Sequence, residues 1–255
     1  MTWDPDRYLT FADERGRPFF DLVGRVPVAA PRRVVDLGCG PGNLTGTLAQ
    51  RWPGATVVGY DSSPEMIAAA AAGAGQVRYE VLDLNGWLAQ GERADVVVSN
   101  AMFQWVPGHL DLLPQIVAAV EPGGWLAFQV PGNFGEPSHT ILRELADEDA
   151  YAASTAGVAY PDAHDAATYL RALQRLGCAV DAWETTYLHV LQGPDPVFTW
   201  VSGTGARPVL AALADDVRPA FVEEYRSRLR AAYPDHGDGV VLPFRRVFAV
   251  AQVPA

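Results

Sequence analysis

The sequence predicts an α/β protein built on a doubly wound sheet of seven strands. Short β-branched runs alternate with helix-like stretches between residues 32 and 130, and five of these runs are apolar on both faces. That pattern is typical of parallel strands covered by helices on both sides. Two longer strand-like runs follow, at residues 178–191 and 239–252. With 255 residues, of which 49% are hydrophobic and 19% charged, the chain is long enough for one large folded domain.

The five short strands and their helices follow in a regular order. Helices are predicted over Asn43–Arg51 and Pro64–Ala72, since proline is favoured in the first turn and alanine is the best helix former. The strands are predicted over Val34–Leu37, Thr56–Tyr60, Val77–Leu82, Ala94–Ser99 and Trp125–Val130.

After Val130 the pattern changes. Residues 131–165 are rich in acidic, small and turn residues, which predicts a helix and a long connection, and Tyr169–Leu176 is helical. Between the two long strands, Pro194–Pro234 is mostly helical. Because this insertion is longer than a strand pair needs, we expect it to form a cap over the sheet.

The charge and the cysteines argue against several classes of function. A net charge of −11 without a Lys/Arg cluster disfavours binding to nucleic acid, which needs a basic surface. Cys39 and Cys178 are far apart, so neither a disulfide framework nor a metal site is expected. We find neither a signal peptide nor an apolar run near the roughly 18 residues of a membrane span. We therefore expect a cytoplasmic protein without a membrane partner.

The first predicted strand runs into a glycine-rich turn and a helix. Gly38, Gly40 and Gly42 permit a tight turn whose backbone amides approach a ligand closely. A dinucleotide-binding turn would have glycine where Asn43 stands. Asp36 would repel a pyrophosphate, and it suits a ligand that has a positive amino group and no phosphate.

Polar residues also stand at the ends of the following strands, where open α/β sheets bind their ligands. Asp61 ends the second strand and is suited to accept two ribose hydroxyls. Asp83 and Leu84 follow the third strand and offer an acceptor and an apolar face for a purine. Structural roles stay open: a helix-cap partner for Asp36, a helix N-cap for Asp61 and a turn residue for Asp83. Two further segments belong to this set: Ser99–Asn100 ends the fourth strand, and Glu121–Gly124 leads into the fifth.

In this order, over about 100 residues, these positions resemble the class I S-adenosylmethionine-dependent methyltransferases. The resemblance implies a Rossmann-like sheet with an antiparallel last strand and a helical cap insertion. It also implies S-adenosyl-L-methionine as cofactor and S-adenosyl-L-homocysteine as product. The implied cofactor-binding residues are Tyr8, Asp36, Gly38, Gly40, Gly42, Asn43, Asp61, Ser62, Met66, Asp83, Leu84 and Asn100.

Further motifs across nearly the whole chain resemble the trans-aconitate methyltransferases. They lie at residues 8–18, 100–105, 177–189, 200–208 and 244–251, while the spacing around residues 150–159 departs from that family. The resemblance implies methyl transfer to one carboxylate of trans-aconitate, giving a monomethyl ester. The implied substrate-binding residues are Arg15, Arg17, Gln104, Trp105, Tyr187, His189, Trp200, Arg207 and Arg246.

No catalytic acid or base is expected, because a carboxylate is already ionised at pH 7. The partner is then a small tricarboxylate, bound by a monomer or weak oligomer. Two alternatives remain: a methyltransferase of this fold that acts on another small organic acid or a natural-product hydroxyl, and a cofactor-binding regulatory module without turnover. Structural or surface roles are expected for His109, Trp183, Cys39 and the arginines at 226, 228 and 230.

The expected domain organisation is a single methyltransferase domain over residues 1–255. Within it, residues 1–30 form an N-terminal lid segment, and residues 31–131 form the cofactor-binding half. Residues 132–165 and 192–237 form the substrate cap insertions.

Overall fold

The structure is a computed structural model and describes residues 12–73 and 75–255, with side chains from residue 16 onward. Its seven strands form one sheet in the order β3-β2-β1-β4-β5-β7-β6. The strands are β1 Arg33–Leu37, β2 Thr56–Asp61, β3 Arg78–Val81, β4 Ala94–Asn100, β5 Val120–Pro131, β6 Ala179–Leu191 and β7 Val240–Gln252.

The first five strands pair in parallel, and the sheet ends in antiparallel strands. This topology confirms the predicted fold class. The helices are α1 Ala12–Gly24, α2 Thr45–Arg51, α3 Pro64–Ala72, α4 Leu84–Ala89, α5 His109–Ala118, α6 Pro137–Ala146, α7 Ala152–Thr155, α8 Ala166–Arg175, α9 Pro196–Ser202, α10 Arg207–Ala212 and α11 Arg218–Ala232.

The core explains why the central strands are apolar on both faces. Val34 and Val35 of β1 and Val96 and Val97 of β4 are all 0% exposed, although neighbouring residues in a strand point to opposite faces. Burying each such side chain contributes about 1.5–3 kcal/mol.

Several predicted element ends differ from the structure by one or more residues, and two of them have a clear cause. The strand predicted from Trp125 begins at Val120, and its pairing with β4 shifts register between Ala94 and Val96. A register shift lets a strand pass through residues that local propensity assigns to a turn. The third strand ends at Val81, because Asp83 already begins the next helix.

The helix α1 precedes the sheet and belongs to the core. Phe19, Leu22 and Val23 are at most 5% exposed. The predicted contacts of Tyr8 lie outside the described residues, as does the side chain of Arg15.

The chain divides into two compact units. Of the described residues, the first unit comprises those within 12–130, 163–184 and 247–255, and the second comprises residues 131–162 and 185–246. Most of both predicted cap insertions belongs to the second unit. In the described part of the chain, no helix meets the length and hydropathy needed to cross a membrane.

Candidate active site

The glycine-rich turn after β1 is packed too closely for a side chain. At Gly38 the backbone has φ +76°, and an added Cβ would lie 2.5 Å from Met102. At Gly42 the φ is +78°, and a Cβ would lie 2.6 Å from the hydroxyl of Tyr79. That hydroxyl donates a hydrogen bond to the carbonyl of Gly42 at 3.0 Å. Glycine is therefore required by both conformation and space.

Asp36 is a buried acid behind this turn. It is 2% exposed, and it accepts a hydrogen bond from Thr45 Oγ1 at 2.6 Å. Burial raises its pKa to about 7, although the Thr45 hydrogen bond opposes the rise and the charge of Asp61 adds to it. An ionised Asp36 consequently favours a cationic partner in the site.

Asp61 links the two loops that follow β1 and β2. One carboxylate oxygen accepts from the amide of Gly40 and the other from the amide of Ser63, both at 2.9 Å. Burial raises its pKa, and these two hydrogen bonds lower it. The N-cap of α3 is Ser63, whose Oγ accepts from the amide of Met66 at 3.3 Å. The helix-cap role considered for Asp61 thus belongs to Ser63.

Asp83 has a helix-capping role in the structure rather than the turn role that the sequence left open. It is the N-cap of α4, and its Oδ1 accepts from the amide of Gly86 at 2.7 Å. The residue is exposed, and it also lines a cavity together with Leu84. Capping one amide leaves other acceptor positions on the carboxylate for a ligand.

Two cavities in the first unit lie along the ends of these strands. The larger has a volume of about 330 Å³ and is lined by Leu37, Gly38, Tyr60, Asp61, Ser62, Leu82, Asp83, Leu84, Asn85, Met102, Trp105, Val106 and Pro107. The smaller, of about 20 Å³, is lined by Phe19, Asp36, Gly38, Cys39, Gly40, Pro41, Asn43, Leu44 and Asn100.

The structure brings most of the predicted cofactor residues to these cavities and adds several that sequence reasoning missed. Tyr60 and Leu82 directly precede predicted ligands in the chain, so strand-end position was an available signal for them. Tyr79 and Met102 reach the turn from other elements. Nothing local in the sequence marks those two contacts.

The segment after β4 carries amide side chains with unused acceptors. Ala101 has φ +57°, an uncommon conformation for a residue with a side chain. Gln104 donates to the carbonyl of Ala101. Among the described residues, no hydrogen-bond donor reaches Oδ1 of Asn100 or Oε1 of Gln104.

Two further predicted site residues lie in the first unit. Met66, predicted to bind the cofactor, is buried at 3% exposure, and Trp105, predicted to bind substrate, lines the larger cavity.

Most of the remaining predicted substrate residues form a cluster in the second unit. The ring of His189 stacks on Trp200 at 4.7 Å between centroids and on Tyr187 at 6.3 Å. The Arg246 guanidinium lies 4.4 Å from the ring centre of Phe244, which also contacts Trp200. His189 is 2% exposed and Arg246 is 5% exposed, so both of these polar side chains are buried against aromatic rings.

Arg207 begins α10, a helix of six residues with Pro208 in its first turn. This helix lies within the segment Pro194–Pro234 that the sequence predicted to be mostly helical. Gly205, two residues earlier, lies against His139, since an added Cβ would be 2.7 Å from His139 Nε2. Arg17 is exposed on α1.

Three side chains for which structural roles were predicted are packed or hydrogen-bonded within the protein. His109 is 4% exposed, and its Nε2 lies 2.7 Å from the hydroxyl of Tyr169. Trp183 stacks on Phe248 at 4.7 Å. Burial strongly raises the pKa of the Cys39 thiol, which keeps it protonated and unreactive.

The arginines of α11 differ from one another. Arg228 pairs with Glu224 at 2.7 Å, and Arg230 is half-exposed in an ion pair, as expected for a solvated face. Arg226 pairs with Asp195 at 3.6 Å and also lies 4.5 Å from the ring centre of Phe198, and together with Arg230 it lines a cavity of about 500 Å³ in the second unit. In the described residues, no group of three His, Cys, Asp or Glu side chains is arranged to hold a metal ion.

Comparison with known families gives a match over most of the chain. A family model described as a methyltransferase domain matches residues 11–182. Trans-aconitate 2-methyltransferase of Streptomyces avermitilis is 53% identical, over 98% of this chain and 96% of that protein. The enzymes of the same name from Streptomyces coelicolor and Mycobacterium tuberculosis are 51% and 47% identical, over 99% and 98% of this chain and 87% and 97% of their own lengths.

Solved structures share the fold. A cyclopropane synthase of Mycobacterium tuberculosis aligns with a TM-score of 0.59 at 12% identity, over 96% of this chain and 86% of that one. Phosphoethanolamine N-methyltransferase 2 of Haemonchus contortus, solved with S-adenosyl-L-methionine, aligns with a TM-score of 0.54 at 19% identity. The alignment covers 94% of this chain, which spans about half, 53%, of that enzyme.

Proposed function

This chain belongs to the methyltransferase family of its trans-aconitate 2-methyltransferase relatives, and we propose that it transfers a methyl group from S-adenosyl-L-methionine to one carboxylate of trans-aconitate. The observation that carries the proposal is 53% identity along 98% of the chain, which includes the whole second unit. A net charge of −11 supports a small-molecule substrate rather than a nucleic acid.

The described residues fit this cofactor, because acceptors and apolar walls line the same cavity of about 330 Å³. When bound, the cofactor supplies an electrophilic methyl group on a sulfonium. Asp61 accepts from the ribose hydroxyls, since each of its oxygens keeps a lone pair beyond the bonds to Gly40 and Ser63. Asp83 and Leu84 contact the adenine.

Asp36 balances the positive amino group at the other end of the cofactor. It lines the smaller cavity together with Asn43 and Asn100, whose Oδ1 is a further acceptor. The other proposed contacts are Tyr8, Gly38, Gly40, Gly42, Ser62 and Met66.

A tricarboxylate needs cations and donors to replace its hydration shell. Arginine suits this role, because its fork of N–H groups binds a carboxylate through two hydrogen bonds. Arg246 is held by packing over Phe244, so it loses little freedom when it binds. The proposed substrate contacts are Arg15, Arg17, Gln104, Trp105, Tyr187, His189, Trp200, Arg207 and Arg246.

No residue acts as a general base in this proposal. The carboxylate oxygen is already a nucleophile at pH 7, so the protein contributes by positioning it in line with the methyl group and by excluding water. A hydroxyl substrate would require a base beside it.

Incubation with methyl-labelled cofactor and a panel of organic acids tests the function. We expect label in trans-aconitate as a base-labile ester and less label in acids of other shape. Base-stable label in a hydroxyl compound would favour an ether-forming methyltransferase. Cofactor binding without transfer to any acid would favour a regulatory module and overturn the proposal.

A further inference from the structure

The segment between β5 and α6, residues 132–136, is held firmly within the second unit. The amide of Gly132 donates to the carbonyl of Arg245 at 2.9 Å, and Nε of Arg245 donates back to the carbonyl of Gly132 at 2.7 Å. Nη2 of Arg143 donates to the carbonyl of Phe134 at 2.7 Å. The backbone on both sides of Asn133 is therefore fixed in position.

The start of α6 is braced as well. The amide of Ser138 donates to the hydroxyl of Tyr233 at 3.0 Å, and the hydroxyl of Tyr225 donates to the carbonyl of Ser138 at 2.5 Å. The next residue, His139, packs directly against Gly205. Tyr225 of α11, Tyr233 directly after that helix, and Gly205 thus hold the residues that follow the segment.

Asn133 lies inside this brace with its side chain unused. It is 1% exposed, and its backbone carbonyl accepts from the amide of Glu136 at 3.0 Å. In the part of the chain that the structure describes, neither Oδ1 nor Nδ2 has a hydrogen-bond partner. Buried polar atoms are paired in the great majority of cases, because each unpaired one is destabilising. A buried, rigidly held amide with both polar atoms unused indicates a ligand that supplies the missing partners.

We propose that Asn133 is a substrate-binding residue whose Nδ2 donates to a carboxylate oxygen of the organic acid. The proposal rests on the proposed function and names a determinant of acid specificity beyond the arginines. Since an ionised acid only accepts, Oδ1 accepts from a water molecule that remains with the acid.

The neighbourhood of Asn133 supports an acid rather than the cofactor. Its neighbour Gly132 is hydrogen-bonded to Arg245, the residue before Arg246 on β7. That strand also carries Phe244, which packs with His189. A neutral amide in the same unit as the buried Arg246 gives a carboxylate a directed donor without adding further buried charge.

Two substitutions at this position test the proposal. Asn133→Leu keeps the size of the side chain and removes its polarity, so we expect the KM for trans-aconitate to rise about 10- to 100-fold, with an unchanged Kd for the cofactor. Asn133→Asp places an acceptor and a charge against the carboxylate, so the KM should rise further. The melting temperature of Asn133→Leu should not fall, because the change removes two unpaired buried atoms.

Thr140→Val on α6 is the matched control, since it also removes polarity near this segment and should leave the KM unchanged. A KM within twofold of wild type in both Asn133 variants would overturn the proposal, and so would a loss of cofactor affinity with an unchanged KM. Calorimetric titration of trans-aconitate, with S-adenosyl-L-homocysteine present, measures the same contact without turnover. If wild type and Asn133→Leu bind the acid equally, the inference fails; if wild type methylates no acid, the proposed function fails.

Discussion

Asp36 combines deep burial with an unusually high pKa, and the two have one physical cause. Desolvation penalises its charged form, and the single hydrogen bond from Thr45 does not compensate for the lost water. Because its pKa is about 7 in the folded chain and 3.8 in the reference state, the folded protein binds an extra proton between these values. The stability that protonated Asp36 provides is therefore lost as pH rises towards 7 and above.

Asp36→Asn should remove this pH dependence. The free energy of unfolding of wild type should fall between pH 5 and pH 8, whereas that of the variant should not, because the variant has no buried charge to create. We therefore expect the difference between variant and wild type to change by about 1–3 kcal/mol in favour of the variant over this range. The affinity of the variant for S-adenosyl-L-methionine should fall at pH 8, since the amino group of the cofactor loses its counter-charge. Urea denaturation at both pH values and calorimetric titration check the two effects. Equal pH profiles for the two proteins would show that Asp36 does not titrate in this range.

Asp61→Ala should weaken cofactor binding by tens-fold or more. A hydrogen bond to a charged group contributes about 1.5–3 kcal/mol, and the substitution also removes the acceptor that joins Gly40 to Ser63. Asp61→Asn keeps one acceptor oxygen and should lose less. Calorimetric titration measures both dissociation constants, and wild-type affinity in Asp61→Ala would remove the ribose assignment.

Arg207→Ala should raise the KM for trans-aconitate and leave the Kd of the cofactor nearly unchanged. Arg207 is half-buried at the first turn of α10, and the forked guanidinium can bind a carboxylate through two N–H groups. Arg207→Lys should restore only part of the loss, because an ammonium is a point charge. Unaltered steady-state kinetics in Arg207→Ala would mean that this helix does not contact the acid.

At the scale of elements, the glycine-rich turn depends on a strand that does not neighbour it in sequence. Tyr79 on β3 packs where a side chain at Gly42 or Gly59 would stand, and its hydroxyl holds the Gly42 carbonyl. Burial raises the pKa of Tyr79 to about 12, so it stays a hydrogen-bond donor at working pH. The shape of the turn is consequently set by its neighbours as well as by its own glycines.

Tyr79→Phe should weaken cofactor binding about 2- to 10-fold, because it deletes one neutral hydrogen bond that holds the turn and leaves the ring in place. Gly42→Ala should have a larger effect, since it adds backbone strain at φ +78° and a clash with the tyrosine hydroxyl. Tyr160→Phe, in the second unit, is the matched control. Calorimetric titration ranks the three, and a Tyr79→Phe affinity equal to that of the control would contradict the bracing role.

At the scale of the whole molecule, the described cofactor contacts that we propose belong to the first unit, whereas the proposed substrate contacts are found in both units, with Gln104 and Trp105 in the first. The cavities with Asp36, Asp61 and Asp83 are lined by residues of the first unit, and the cluster of His189 and Arg246 belongs to the second. The chain passes between the units several times, so neither unit is a continuous segment. Substitutions in the first unit can therefore affect either ligand, whereas substitutions in the cluster of His189 and Arg246 should affect acid binding.

Deletion of residues 1–11 should separate folding from turnover. The helix α1 begins at Ala12 and buries Phe19, Leu22 and Val23, so a truncation that ends before Ala12 preserves these core contacts. A longer truncation, to residue 18, would remove about half of the helix. We expect a melting temperature within about 5 °C of wild type and a large loss of turnover, because Tyr8 is a proposed cofactor contact. Thermal unfolding and the ester assay check this, and full turnover would show that the segment only packs.

Much of the fold and of the cofactor site was predictable because its signals are local. A strand that is apolar on both faces, a proline at a helix start and glycines in a turn each follow from a few adjacent residues, and β1, α3 and the turn at Gly38 were found in this way. The boundaries of β5 were less predictable, since its first residues pair only through a register shift with β4.

The sequence by itself determined the doubly wound sheet, the order of acidic residues along its strand ends and the resemblance that points to the family. Only the tertiary structure decided which residues press on the turn, that Asp83 caps a helix while it lines the cavity, and that burial raises the pKa of Asp36. It also decided that the side-chain amide of Asn133 is buried without a hydrogen-bond partner among the described residues. The physical reason is that desolvation, close contact and hydrogen-bond satisfaction depend on residues far apart in the chain, and such pairs leave no periodic pattern in a single sequence.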